Sequence, residues 1–160
     1  MNTQRFPVVV LVAEFSIPAS HFGGEKFTEE GVASYCNVGL QHLQSIIPHG
    51  EFPMKLDEPV KLKVYETLRG CSVFEWMDEI PFESEVGTIL AWIVVFYLIR
   101  NQPEIILGET FTGGSFYLKS HLGDVIRIYC GKSRVDDLWS VHDKDPDDTL
   151  CKGSFIYVFA

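Results

Sequence analysis

The chain has 160 residues, of which 46% are hydrophobic and 22% charged, with 13 Gly and 8 Pro. This apolar content is too high for an intrinsically disordered protein, and no collagen-like or heptad repeat occurs. One domain, 1–160, with a packed core is expected at this length. The net charge of −9, without any Lys/Arg cluster, argues against nucleic acid or an anionic membrane as the partner.

The first half of the chain predicts a strand, a helix and two further strands. Residues 6–17 are apolar on both faces, which is typical of a strand in the centre of a sheet. An amphipathic helix is predicted from Thr28, its N-cap, to the stop at Pro48. Residues 60–65 alternate between apolar and polar or aromatic side chains and predict a half-exposed strand, and 71–80 predicts the strand that returns beside it.

A second helix is predicted over residues 85–101, between a possible N-cap at Ser84 and the stop at Pro103. Its apolar run, 86–99, has 14 residues, too few for a membrane-spanning helix, which needs about 20. Because the helix is apolar on all sides, it is either covered within the monomer or packed against a second copy in a homodimer.

The remainder of the chain predicts an antiparallel meander with turns that include Gly113–Gly114 and 143–148. The order β-α-β-β-α-β over the first 111 residues is compatible with a ferredoxin-like core extended by C-terminal hairpins. The expected fold class is therefore α+β, an antiparallel-rich sheet with two main helices, which implies no particular function. The meander strands are predicted near 104–111, 115–120, 124–130, 137–141 and 153–159.

Cysteine usage and the N-terminus together indicate a cytoplasmic protein. The four cysteines show no C-x-x-C spacing, and buried thiols in a reducing compartment explain them most simply. The apolar run 8–13 is too short for a secretory signal and is interrupted by Glu14.

Motifs for catalysis and for cofactor or metal binding are missing from the sequence. There is no phosphate-binding loop, and the segment 113–117 has Tyr117 where a nucleophile elbow requires Gly. The alternating aspartates that follow His142 match the first half of a calcium loop, but Asp148 and Ser154 replace its required Gly and Glu. No cofactor and no metal are expected, and a protein without catalytic activity is favoured, although the question of an enzyme stays open.

Glu14 is the best candidate for acid–base chemistry. If it were buried at the end of its apolar strand, its pKa would rise and it could act as a general base in a pocket. The alternative is that Glu14 lies at an exposed strand tip or pairs with a neighbouring cation.

Two acidic stretches, each with a tryptophan, indicate a surface that binds a basic protein. Aromatic anchors flanked by carboxylates are typical of such surfaces, although each Trp could instead be turned into the core. The sequence thus favours a small non-catalytic binding module, such as an inhibitor or immunity-type protein that neutralises a basic toxin. A small enzyme or ligand-binding domain with a pocket near Glu14, and a structural homodimer, are the alternatives. The candidate partner-binding residues are Glu75, Trp76, Asp78, Glu79, Asp136, Asp137, Trp139, Asp143, Asp145, Asp147 and Asp148.

Overall fold

The described strands form one mixed sheet. The computed structural model describes residues 6–19, 36–37, 58–80, 94–95, 97–99, 101–106, 113–119, 125–132 and 139–159. The strands are β1 (Val9–Ile17), β2 (Cys36–Asn37), β3 (Val60–Thr67), β4 (Gly113–Lys119), β5 (Val125–Lys132), β6 (Trp139–Lys144) and β7 (Phe155–Phe159). Their order across the sheet is β1-β3-β7-β4-β5-β6-β2.

The strand pairing confirms part of the predicted meander. β4, β5 and β6 are consecutive antiparallel neighbours, as the turn-separated strands predict. The last strand, β7, does not continue this meander, because it inserts between β3, its antiparallel neighbour, and β4, its parallel neighbour. The described chain is therefore richer in sheet than an α+β fold with two main helices.

Both faces of the sheet are covered, because consecutive side chains on its central strands point to opposite faces and are both apolar and buried. Val64, Tyr157 and Phe116 share one face through their pairing register, and we call it face A. Tyr65 and Ile156 share the opposite face, which we call face B. The alternation predicted for β3 is confirmed at its three buried aliphatic residues, but Tyr65 is buried as well.

Face A packs against helical residues 94, 95 and 97–99, and residue 101 is helical as well, which confirms the C-terminal part of the predicted second helix. Residues 94, 95 and 97–99 are all buried within a single chain. This part of the helix therefore has no exposed apolar side to offer a second copy. A short 3-10 turn, Pro103–Ile105, follows, and the Tyr157 hydroxyl donates to the carbonyls of Ile105 at 2.9 Å and Ile106 at 3.0 Å.

Face B is covered by a short helix, α1 (Val73–Met77), where the sequence predicted a strand over 71–80. The prediction was wrong because Ser72 and Glu75 begin a helix here. The Ser72 N–H donates to the Glu75 carboxylate at 2.7 Å, as in a capping box. Val73 and Trp76 then fall on one side of the helix and are buried.

The predicted N-terminal helix is contradicted at the two of its residues that are described. Cys36 and Asn37 form β2, which pairs in parallel with Trp139 and Ser140 of β6. The backbone N–H and C=O groups of these residues therefore belong to a sheet edge and not to a helix. The rest of that predicted helix lies outside the described residues.

β1 ends the order of the described strands, so among these strands it is not central as predicted. Its side chains from Val10 to Val12 are exposed although they are apolar. The register shifts between Leu11 and Ala13, which places an extra residue in β1 opposite β3. The apolar run in β1 predicted a strand buried on both faces, whereas β1 is the last of the described strands and is partly exposed.

Two features predicted for the C-terminal half are also wrong. Gly113–Gly114 begins β4 instead of forming a turn, and the Tyr157 ring lies where a side chain at position 114 would be, which explains the glycine there. Residues 104–106 form the 3-10 turn and its end instead of a strand. With 71–80 also helical, the described elements do not follow the predicted β-α-β-β-α-β order.

Candidate functional site

A cavity of about 510 Å³ lies between the N-terminal end of β1 and α1. Two aromatic side chains in its wall, Phe6 and Phe74, are 83% and 69% exposed. They are the two most exposed large hydrophobic side chains in the described part of the protein. We call this feature the Phe6/Phe74 cavity; its lining residues are Phe6, Val8, Arg69, Phe74, Glu75, Asp78 and Glu79.

The carboxylate of Glu79 fixes one wall of this cavity. It accepts hydrogen bonds from the Val8 N–H at 2.8 Å and 2.9 Å and from the Val9 N–H at 3.2 Å. Glu79 itself is positioned by the end of α1, because its N–H donates to the Trp76 carbonyl at 3.0 Å. The chain entering β1 is thereby tied to the helix, and Phe6 is held close to Phe74.

Glu75 carries a negative charge on the exposed side of the cavity. Its carboxylate accepts from the Ser72 N–H and from the Arg69 guanidinium, the latter at 3.1 Å. The Ser72 hydrogen bond and then Arg69 hold the pKa of Glu75 below its ordinary value of 4.5. Arg69 is thus already paired with Glu75, while Asp78 is an exposed carboxylate at the end of the helix.

Neither tryptophan is a surface anchor, which corrects the assignment of Trp76 and Trp139 as partner-binding residues. Trp76 is fully buried under α1, edge-on to the Tyr117 ring with 4.8 Å between centroids. Trp139 is buried in the core on face A. The aromatic side chains beside the carboxylates are instead Phe6 and Phe74. An interpretation of 71–80 as a helix would have identified Phe74, because Val73 and Trp76 occupy the buried side.

The second acidic stretch is anchored to the sheet by a buried arginine. Arg127 donates from Nε to the Ser115 hydroxyl at 2.9 Å and from Nη1 to the Asp145 carbonyl at 3.4 Å. The Asp148 carboxylate lies 3.9 Å from the same guanidinium. Asp145 also accepts from the Asp147 N–H at 2.9 Å, and all three aspartates are exposed at the surface.

The structure brings parts of the two acidic stretches to the same side of the sheet. Cys71, just before α1, and Leu150, just after the aspartate turn, exchange backbone hydrogen bonds of 3.0 Å and 2.8 Å. Both residues belong to the buried cluster on face B. Asp143 lies in β6, where the structure describes its backbone but not its side chain. Asp136 and Asp137 lie outside the described residues.

Glu14 does not have the environment of a general base. Its side chain is 61% exposed, and its carboxylate lies 3.8 Å from Lys63 Nζ. The open groove of about 560 Å³ beside it is lined by no His or Cys among the described residues. The alternative of an exposed glutamate paired with a cation is therefore correct, and the buried-base interpretation is wrong.

Two cysteines, Cys71 and Cys130, are buried in the two clusters of the core. Burial, more than any other cause, raises the pKa of the Cys71 thiol, which lowers its thiolate fraction at neutral pH. The Cys130 thiol is buried and contacts the Gly114 carbonyl at 3.7 Å. Within the described ranges, no three His, Cys, Asp or Glu side chains are placed to hold a metal ion. No helix in these ranges is long and apolar enough to cross a membrane.

No protein-family model, curated protein or solved structure matches this chain. A functional proposal therefore depends on the chemistry of the surface itself. The Phe6/Phe74 cavity combines exposed aromatic rings with carboxylates, and both kinds of side chain occur in surfaces that bind proteins.

Proposed function

We propose that the protein is a non-catalytic binding module that holds a basic protein partner at the Phe6/Phe74 cavity. The observation that carries the proposal is the exposure of Phe6 and Phe74 beside the carboxylates of Glu75 and Asp78. Contact of two aromatic rings with water is unfavourable, so a partner that covers them gains binding free energy from their burial. Their position in one cavity gives the apolar centre that protein interfaces require.

The charge of the surface supports a basic partner. The protein has a net charge of −9, and Arg69, a cation in the cavity wall, is already paired with Glu75. A Lys or Arg side chain of the partner would find Asp78 at the rim, while the exposed aspartates at 145 and 147 add negative charge elsewhere on the surface. Such a field accelerates association with a basic protein and weakens as salt is added.

The specific form of the proposal is an inhibitor or immunity-type protein that neutralises a basic toxin in the cytoplasm. An inhibitor acts by occupying its target, so it needs a binding surface and no catalytic group. Cys71 and Cys151 are free thiols, which is compatible with a reducing compartment.

Affinity capture from the native host with four immobilised proteins tests the proposal. The baits are the native chain, Phe74→Ala, Asp78→Lys, and the control Glu104→Lys, which makes the same charge change at an exposed residue outside the cavity lining. The proposal predicts one stoichiometric basic protein on the native and Glu104→Lys baits, reduced on the two cavity variants. Equal recovery of that protein on all four baits would place the binding surface elsewhere and contradict the proposal.

A further inference from the structure

The backbone of β1 has hydrogen-bonding groups that face away from the sheet. Thr67 of β3 directs its N–H to the Ser154 carbonyl and its C=O to the Gly153 N–H, away from β1. Val9 is the register partner of Thr67, so the backbone N–H and C=O groups of Val9 point away from β3. Because these groups point to alternate sides along a strand, those of Leu11 also point away from β3. β1 ends the order of the described strands on that side.

Glu79 already occupies the first position of this outer edge. Its carboxylate accepts from the Val9 N–H, which is one of the outward groups. The Val9 carbonyl and both backbone groups of Leu11 come next along the strand. The register shift between Leu11 and Ala13 then interrupts the regular strand, so only its N-terminal half presents a regular edge.

Exposed apolar side chains continue from the cavity along this half of β1. Val10, Leu11 and Val12 are 42%, 45% and 45% exposed. The segment is continuous with the cavity, because Val8 lines the cavity and immediately precedes the strand. Edge strands usually carry charged or proline residues that prevent pairing, whereas three consecutive aliphatic side chains favour it.

We propose that this outer edge of β1 binds an extended segment of the partner by strand addition, with one of the partner's apolar side chains in the Phe6/Phe74 cavity. The inference rests on the proposed function and specifies how the partner is recognised. The segment would carry aliphatic residues, which cover the exposed side chains of β1, and basic residues, which are attracted to Asp78 in the lining of the cavity. A second copy of the chain is the less suitable occupant, since each copy has a net charge of −9.

Few backbone hydrogen bonds are available on this edge, so strand addition alone would bind weakly. Strand addition takes its affinity from main-chain hydrogen bonds and its specificity from pockets for alternate side chains. The cavity supplies such a pocket at one end of the edge. The cavity and the edge are therefore expected to act together on one segment.

A synthetic peptide of alternating lysine and valine tests the inference. Two versions of it carry N-methyl groups, one on the valine amides and the other on the lysine amides, and alternating lysine and serine is the control for charge. Strand addition predicts that one methylated peptide binds about tenfold more weakly than the parent peptide, because methylation removes hydrogen bonds only from the edge that faces β1. It also predicts that the other methylated peptide binds like the parent, that the serine peptide binds weakly, and that the Leu11 amide exchanges more slowly in the complex.

The outcomes separate this inference from the proposed function. Binding that is weakened by Asp78→Lys and Phe74→Ala but unaffected by either methylation overturns strand addition and leaves the cavity as a docking site. Failure of the parent peptide to bind, or binding that none of these changes affects, overturns strand addition, and the affinity capture with the cavity variants then decides the proposed function by itself. Light scattering could instead show a dimer of twice the 18.1 kDa chain mass that Leu11→Lys dissociates. That result overturns the inference, because a second copy and not a partner segment would then occupy the edge of β1.

Discussion

Glu79 binds the backbone of Val8 with both carboxylate oxygens, at 2.8 Å and 2.9 Å, across 71 positions of sequence. This contact joins the end of α1 to the start of β1 and so forms the wall of the Phe6/Phe74 cavity. An acidic residue that the sequence assigned to partner binding is thus used to hold the surface together. The neighbouring Asp78 remains available at the rim.

Replacement of Glu79 by Ala is expected to lower the free energy of unfolding by about 1–3 kcal/mol, because the N–H groups of Val8 and Val9 lose their acceptor. Urea denaturation measures this loss. Asp78→Ala is the matched control: it removes an exposed carboxylate one residue away and is expected to change stability by less than about 0.5 kcal/mol. Equal stability of the two variants would refute the role assigned to Glu79.

Two buried tyrosines predict opposite effects of removing a hydroxyl. Tyr157→Phe removes the donor to the carbonyls of Ile105 and Ile106 and is expected to cost about 1–2 kcal/mol of stability. The buried hydroxyl of Tyr117 makes no hydrogen bond of good geometry among the described residues, and the Ser115 hydroxyl beside it already accepts from Arg127. Tyr117→Phe is therefore expected to be neutral or to stabilise the protein by up to about 1 kcal/mol. Thermal and urea unfolding of the pair measure the difference, and a larger loss for Tyr117→Phe would contradict it.

Tyr117 also predicts how stability changes at alkaline pH. Burial raises the pKa of Tyr117 from 10 to about 12, so the unfolded chain loses this proton at lower pH than the folded protein. Its contribution to stability is present below pH 10 and is lost as the pH rises from 10 to 12. Urea denaturation across this range should show a shallower decline for Tyr117→Phe than for the native protein. Identical declines would indicate that Tyr117 ionises as it does in the unfolded chain.

Glu75 predicts a change in stability at acidic pH. Its pKa is lowered in the folded protein, so its ionised form stabilises α1 above the ordinary value of 4.5, and this contribution disappears as the pH falls through the lowered pKa. The stability difference between the native protein and Glu75→Gln should therefore be largest above pH 4.5 and shrink below it. Denaturation curves at descending pH measure it, with Glu104→Gln as the baseline for an exposed glutamate. A difference that grows on acidification would reverse the assigned sign.

Local sequence patterns predicted where most of the described strands lie along the chain. β3 to β7 lie where alternating side chains and turn residues indicated strands, because a half-buried strand has a period of two that is visible in the sequence. The insertion of β7 between β3 and β4 could not be predicted, since it depends on pairing between distant segments. β1 was misplaced because an apolar run looks the same in the sequence whether the strand lies at the centre or at the end of the strand order.

The candidate site was predicted in part. The acidic residues from Glu75 to Glu79 were found from their charge, but Trp76, which is buried, was named as the exposed aromatic residue instead of Phe74. The signal that could have corrected this is the Ser72-x-x-Glu75 pattern, which begins a helix and turns Phe74 outward. Phe6 carried no signal, because a lone phenylalanine before a strand usually belongs to the core and only the folded chain shows it exposed.

The most direct test of the binding surface is the dissociation constant of the captured partner for the native protein and for Phe74→Ala. Phe74 is 69% exposed, so its truncation should leave the fold intact while removing one of the two aromatic anchors. We expect affinity to fall by about tenfold or more, as for a central aromatic residue of an interface. An unchanged dissociation constant for a correctly folded Phe74→Ala protein would show that the partner does not bind at this cavity.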